Sequence, residues 1–251
     1  MTTQTTAASV GQQQLLLDQT VVVIGGTAGI GLETARLAKE QGAQLILTAR
    51  DPERLQRVGR ELKARVSAFD ATDFARLETF FHELPTPIDH VLVTGPGPYY
   101  APLSEMDFDK ARQNVEAHLF LRLQIARHAV GKVRPGGTLI FMGGTDHRAA
   151  KGLAFVSALG GGLKTMTKNL ALELAPIRVN MIAAGFVDTP LSATLLGEQI
   201  EARREQLRKT LPIGRVVGPA DIAALAIHLM TNTAITGASV EIDGGQQLVE
   251  A

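Results

Sequence analysis

A chain of 251 residues, 45% of them hydrophobic, is long enough for a single α/β core and has ample apolar content to fill it. Its 25 Lys and Arg balance 25 Asp and Glu, so there is no net basic field to hold nucleic acid or an anionic membrane. The absence of Cys excludes disulfides, thiolate metal sites and a cysteine nucleophile.

Met1 to Gln14 is rich in Thr, Gln and Ala and lacks the basic start and apolar run of a signal peptide. Residues 1–18 are therefore expected to be a flexible tail, and residues 19–251 a single domain. No apolar stretch approaches the ~20 residues of a membrane span, and a cytoplasmic location is the expectation. From there short β-rich runs alternate with helical patterns. Thr20–Gly25, with three adjacent valines, reads as a strand buried on both faces of a parallel sheet. Ile30 to Glu40 has helical periodicity, closed by Gly42. Gln44–Ala49 is a second strand, and Asp51-Pro52 starts a helix. Arg65–Phe69 is a third strand, Thr72–Glu83 a helix, and Ile88–Thr94 a fourth strand. Ser104 is expected to cap a long helical region reaching about Lys132. Gly137–Met142 is a fifth strand, Leu153–Leu174 a helix, Ile177–Ala183 a sixth strand, Pro219–Met230 a helix and Ala238–Asp243 a last strand. This alternation predicts a doubly wound, Rossmann-type α/β fold: one parallel sheet with helices on both faces. The polar insertion at residues 191–210 falls at the carboxyl ends of the strands, where ligands bind in open α/β sheets, and is a candidate substrate lid.

Directly after the first strand comes Gly25-Gly26-Thr27-Ala28-Gly29-Ile30-Gly31, followed by a helix. Glycines there permit a tight turn and close approach of the backbone to a pyrophosphate, while the helix N-terminus offers free N–H groups and a favourable dipole. The spacing Gly25-x3-Gly29-x-Gly31 resembles the glycine motif of the short-chain dehydrogenase/reductase family. Further matching pieces are Asp70, Asn114-Val115, Asn169–Glu173, Ile177–Asn180, Gly185, Thr189-Pro190 and Asp243-Gly244-Gly245, so the resemblance runs from about Gln19 to Gln246. It implies a nicotinamide cofactor, a small-molecule substrate and a homodimer or homotetramer. By the same resemblance Gly25, Thr27, Ala28, Gly29, Ile30 and Gly31 hold the cofactor's phosphates. Asp70 and Ala71 contact the adenine, Thr189 the carboxamide of the nicotinamide, and Gly95, Gly185 and Val187 are further cofactor-binding positions. An acid after the second strand would bond the ribose 2′-hydroxyl of NAD; this chain has Ala49-Arg50 instead. A guanidinium binds a 2′-phosphate that an acid would repel, so NADP(H) is expected, with the neighbouring Asp51 as a counterweight.

The resemblance also implies a catalytic Asn, Ser, Tyr and Lys. Aligned back from Asn169–Glu173, the Tyr position falls on Val156, the Lys position on Gly160 and the Ser position on Gly143 or Gly144; only Asn114 remains. The chain has just two tyrosines, Tyr99 and Tyr100. Candidates to replace the lost acid follow the fourth and fifth strands: Tyr99, Tyr100, Asp146, His147, Arg148 and Lys151. Asn114, His147 and Tyr100 are taken as the catalytic set, since a histidine titrates in the useful range and a tyrosine can donate a proton. Lys164, one turn beyond Gly160, and His118, one turn beyond Asn114, read first as a surface or interface charge and a packing residue. Gly160-Gly161-Gly162 inside a helix implies either close approach of another helix or room for a ligand. No His/Asp/Glu cluster suggests a metal. The expectation is an NADP(H)-dependent reductase with altered proton delivery, acting on a carbonyl, conjugated C=C or imine-like substrate. An inactive NADP(H)-binding sensor or partner subunit is the alternative, and a non-redox lyase or isomerase a third reading.

Overall fold

The computed structural model describes residues 14–145 and 150–249. Seven strands, all parallel, form one sheet in the order β3-β2-β1-β4-β5-β6-β7. They are β1 (Thr20–Ile24), β2 (Gln44–Ala49), β3 (Arg65–Ala68), β4 (Ile88–Val93), β5 (Val133–Gly144), β6 (Arg178–Ala184) and β7 (Ser239–Ile242). The helices are α1 (Gly29–Glu40), α2 (Pro52–Leu62), α3 (Phe74–Glu83), α4 (Phe108–Val115), α5 (Leu121–Ala129), α6 (Ala154–Glu173), α7 (Pro190–Leu196), α8 (Ile200–Thr210), α9 (Pro219–Thr231) and the short α10 (Gln246–Val249).

Side-chain alternation along the strands makes two cores. Val22, Ile24, Val91, Val93, Leu139 and Phe141 face α3, α5 and α6, meeting Leu77, Phe81, Ile125, Ala129 and Leu170. Val21, Val23, Leu45, Leu47, Leu92 and Ile140 face α1, α2 and α9, meeting Ala35, Ala38, Leu55, Ile222 and Ala226. Both faces of the central strands are covered, which is why they read as continuous apolar runs rather than alternating ones. Arg178, buried at the start of β6, donates to the carbonyls of Leu229, Met230, Asn232 and Ile235, so a cation sits where the dipole of α9 ends.

The structure differs from the sequence expectations at three places. Residues 15–18 form a turn in which Leu16 is fully buried and its N–H bonds to the carbonyl of Gln41, so the packed chain begins ahead of Gln19. Ser104 lies in a 3-10 turn, Leu103–Glu105, and caps nothing; Asp107 caps α4, its carboxylate accepting from the N–H groups of Asp109 and Lys110. The long helical region expected to about Lys132 is α4 and α5 joined by a π-helical turn, Glu116–Phe120. Residues 191–210 form α7 and α8, separated by a short 3-10 turn at Gly197–Gln199.

Candidate active site

The chain leaves β1, builds the sheet outward through β2 and β3, then returns to place β4 against β1's other edge. The loops after β1 and β4 therefore part company at this point, which is where ligands enter open α/β sheets. A cavity of about 560 Å³ opens there, lined by Gly25, Arg50, Asp70, Ala71, Gly95, Gly97, Tyr99 and Asn114 among others.

The glycine loop fits a dinucleotide. Gly25 has φ +90°, and a Cβ built there would lie 2.1 Å from Thr94 Oγ1. A Cβ on Gly31 would lie 2.2 Å from the Gly25 carbonyl oxygen, so α1 begins closer to β1 than any side chain allows. Ala28, at the N-terminus of α1, is extended and makes no side-chain cap, and Gly29 follows at φ +50°. The first N–H groups of α1 thus have no side-chain cap, the arrangement that leaves a helix N-terminus free for an anion. A Cβ on Gly29 would touch Thr189, so the phosphate end of α1 abuts the start of α7.

At the other side of the cavity Arg50 and Asp70 stand together after β2 and β3. Burial raises the Asp70 carboxyl, but hydrogen bonds from Thr72 N–H and Oγ1, together with the Arg50 charge, carry it below the ordinary carboxylate range. Asp51, the expected counterweight to Arg50, is the N-cap of α2, accepting from Arg54 N–H at 3.0 Å. Its charge is thereby committed to the helix.

Over β4 the backbone turns through Thr94-Gly95-Pro96-Gly97. Asn114, in the last turn of α4, donates from Nδ2 to the Gly97 carbonyl at 3.2 Å, and its Oδ1 is buried without a partner. His118 Nε2 lies 3.4 Å from the same carbonyl. Tyr99 lines the cavity; its hydroxyl accepts from the Asp107 N–H at 2.8 Å and its ring meets Phe155 edge-on at 6.1 Å. Tyr100 is 49% exposed and is not part of that lining. A Gly-Pro loop has no periodicity to say which of two adjacent tyrosines turns inward, so the sequence offered no signal to separate them. Asp146, His147 and Arg148 lie outside the described residues.

The remaining candidates fall as follows. A Cβ on Gly185 would lie 2.6 Å from that of Asp243, and its N–H bonds to the Ile242 carbonyl, so this glycine is required by packing against the end of β7. Val187 is buried and pairs with Val217, and its carbonyl accepts from Ser192 Oγ. Thr189 caps α7 through Ser192 N–H. Lys164 pairs with Glu241 on β7 at 2.9 Å. Val156 and Gly160 stand on α6; Gly143 is closed by Met181, whereas among the described residues nothing beyond its chain neighbours lies within 4 Å of a Cβ built on Gly144. The same is true of Gly160, Gly161 and Gly162, so no described part of this chain crowds the triplet. α7 packs on the β4 loop, where Leu195 would lie 3.1 Å from a Cβ on Gly97, and Arg204 of α8 bonds bidentately to Asp188. Among the described residues no group of His, Asp and Glu could hold a metal ion, and no helix is long and apolar enough to cross a membrane.

The family model described as enoyl-(acyl carrier protein) reductase matches residues 25–247. A short-chain dehydrogenase/reductase of Stachybotrys chlorohalonatus, ATR9, is 29% identical over 253 residues, covering 90% of this chain and 96% of its own length. The MalC reductase/Diels-Alderase of Malbranchea aurantiaca superposes with a TM-score of 0.85 at 25% identity, over 94% of this chain and 98% of that one. An actinorhodin polyketide ketoreductase with NADPH has a TM-score of 0.83 at 25% identity, over 91% and 97%. The chain belongs to the short-chain dehydrogenase/reductase family. It is an oxidoreductase-family chain on a fold that binds a nicotinamide cofactor.

Proposed function

We propose that the protein is an NADP(H)-dependent reductase in which the proton is not delivered by the family's Tyr–Lys pair. The observation that carries the cofactor choice is Arg50 at the cavity mouth beside Asp70, with Asp51 turned away to cap α2. A guanidinium there pairs with a 2′-phosphate. NADPH bound to the polyketide ketoreductase relative agrees with that reading.

The cofactor supplies a hydride; the chain's own residues orient it and the acceptor. The glycine loop and the start of α1 hold the phosphates, and Thr189 takes the nicotinamide end. Leu191 and Leu195 of α7 contribute apolar surface above Gly97, which excludes water from the reacting atoms. On α6, Val156 and Gly160 stand where the resemblance puts Tyr and Lys, so no phenol on that helix donates a proton. Substrates that accept hydride readily suit such a site: a small carbonyl compound, a conjugated C=C bond or an imine-like group. Enoyl reduction, the activity in the family model's description, is hydride addition of this kind. Asn114, Tyr100 and His147 form the proposed catalytic set, and a cytoplasmic homodimer or homotetramer acting on a small molecule completes the reading.

The alternative of a non-catalytic NADP(H)-binding subunit is favoured by one observation: among the described residues nothing crowds a Cβ at Gly144 or Gly160, where acid–base side chains are expected. The experiment is NADPH oxidation by the purified protein against conjugated enones, cyclic imines, simple ketones and, in reverse, simple secondary alcohols. Turnover of the conjugated or imine substrates with little of the ketones supports the reductase. Efficient oxidation of simple secondary alcohols contradicts altered proton delivery. Tight cofactor binding with no turnover on any substrate favours the binding subunit.

A further inference from the structure

α8 is a polar helix with little apolar surface to hold it down: Leu207 is its one buried residue. Its firmest tie to the rest of the chain is Arg204. The Nε of this side chain lies 3.1 and 3.0 Å from Oδ1 and Oδ2 of Asp188, and Nη2 lies 2.6 Å from Oδ1. Nη1 bonds to Glu201, one turn back on α8, so both edges of the guanidinium are engaged. The preceding residue, Arg203, stands with its guanidinium 6.0 Å from the centre of the Phe186 ring. Two successive residues of α8 thus grip two residues of one short segment, 185–189.

That segment joins β6 to α7 and is fixed from other sides as well. The Phe186 N–H donates to Gln246 Oε1 at 2.8 Å, and the Asp188 N–H to the Val217 carbonyl at 2.9 Å. Its last residue, Thr189, caps α7 and meets the glycine loop: a Cβ built on Gly29 would lie 3.3 Å from both Cβ and Cγ2 of Thr189. Asp188 and Thr189 share a planar peptide, so the place of the carboxylate and the place of the threonine are not independent. A continuous path therefore runs from α8 through Asp188 and Thr189 to the start of α1. The ion pair in that path is only partly exposed, at 25% for the Arg204 side chain and 32% for that of Asp188. A bidentate fork at this depth fixes direction as well as distance, which a single-point surface pair does not.

We propose that Arg204 is a positioning residue: by holding Asp188 it fixes Thr189 against the glycine loop, and so couples α8 to the binding of the nicotinamide half of the cofactor. The proposal rests on the dinucleotide reading above and makes α8 a support of the cofactor site rather than only a cover for substrate.

The test is calorimetric titration with NADPH and, separately, with adenosine 2′,5′-bisphosphate, which carries only the adenosine half. Wild type, Arg204→Ala, Asp188→Asn and the double variant are compared. The expected result is NADPH binding weakened about threefold to fivefold in each single variant, the effect of losing one well-formed ion pair, with the bisphosphate unchanged. The double variant should lose no more than the single ones, because both act through one contact. Arg204→Lys, which keeps the charge but not the fork, recovers part of the loss. If Arg204→Ala does not fold, Arg204→Gln takes its place. Unchanged NADPH affinity, equal weakening of both ligands, or additive losses in the double variant overturns the proposal while leaving the dinucleotide reading intact. Failure of the wild type to bind either ligand overturns both.

Discussion

The Thr94 hydroxyl donates to the carbonyl of Gly25 at 3.2 Å, tying the loop after β4 to the loop after β1 at the point where the strand order reverses. The same hydroxyl occupies the place a Cβ at position 25 would need. Gly25→Ala must therefore both strain a backbone at φ +90° and push Thr94 away. Strain alone costs about 1–3 kcal/mol. The expected outcome is a lower thermal midpoint together with lost NADPH affinity, read by differential scanning calorimetry and titration on one preparation. Wild-type values for both would show that the loop tolerates a side chain.

Gly161 gives the opposite expectation. It lies in the interior of α6, exposed, with no atom within 4 Å of a built Cβ. Gly161→Ala relieves the backbone entropy cost of glycine in a helix, so the isolated chain gains up to about 1 kcal/mol. Urea unfolding measures it. A loss of stability instead would mean that a second subunit packs onto the triplet, and sedimentation of the variant would then show dissociation.

His90 gives the pH dependence. It is buried, with Nε2 2.7 Å from Gln19 Oε1, and burial lowers its pKa to about 3, overcoming the Asp89 charge that raises it. The unfolded chain takes up this proton near pH 6.5 and the folded chain only near 3, so the unfolded state binds more protons in between. Stability is complete above about pH 6.5 and falls as the pH drops towards 3, by about 1.4 kcal/mol per unit from this group. Unfolding free energies at pH 7, 6 and 5 check the slope. His90→Gln should flatten it by that amount, and a slope unchanged in the variant would assign the acid sensitivity elsewhere.

The strands and the glycine loop were legible because their signals are local. β1 and the second half of β4 are buried on both faces and read as apolar runs, and the turn at Gly25 admits only glycine. Arg50 was legible from its place after β2, but the role of Asp51 became clear only when its carboxylate was found on the Arg54 N–H. Tertiary contacts decided the rest. Arg122 of α5 donates to the Met142 carbonyl on β5, a contact absent from helical periodicity, and a uniform helix was the natural reading of residues 104–132.

Arg50 as the determinant of an NADP(H) site is tested by titration with NADPH and with NADH. In the wild type NADPH should bind far tighter than NADH. In Arg50→Glu, NADPH should lose about a hundredfold of its affinity while NADH loses none. Equal affinities in the wild type, or an Arg50→Glu variant that still prefers NADPH, would contradict it.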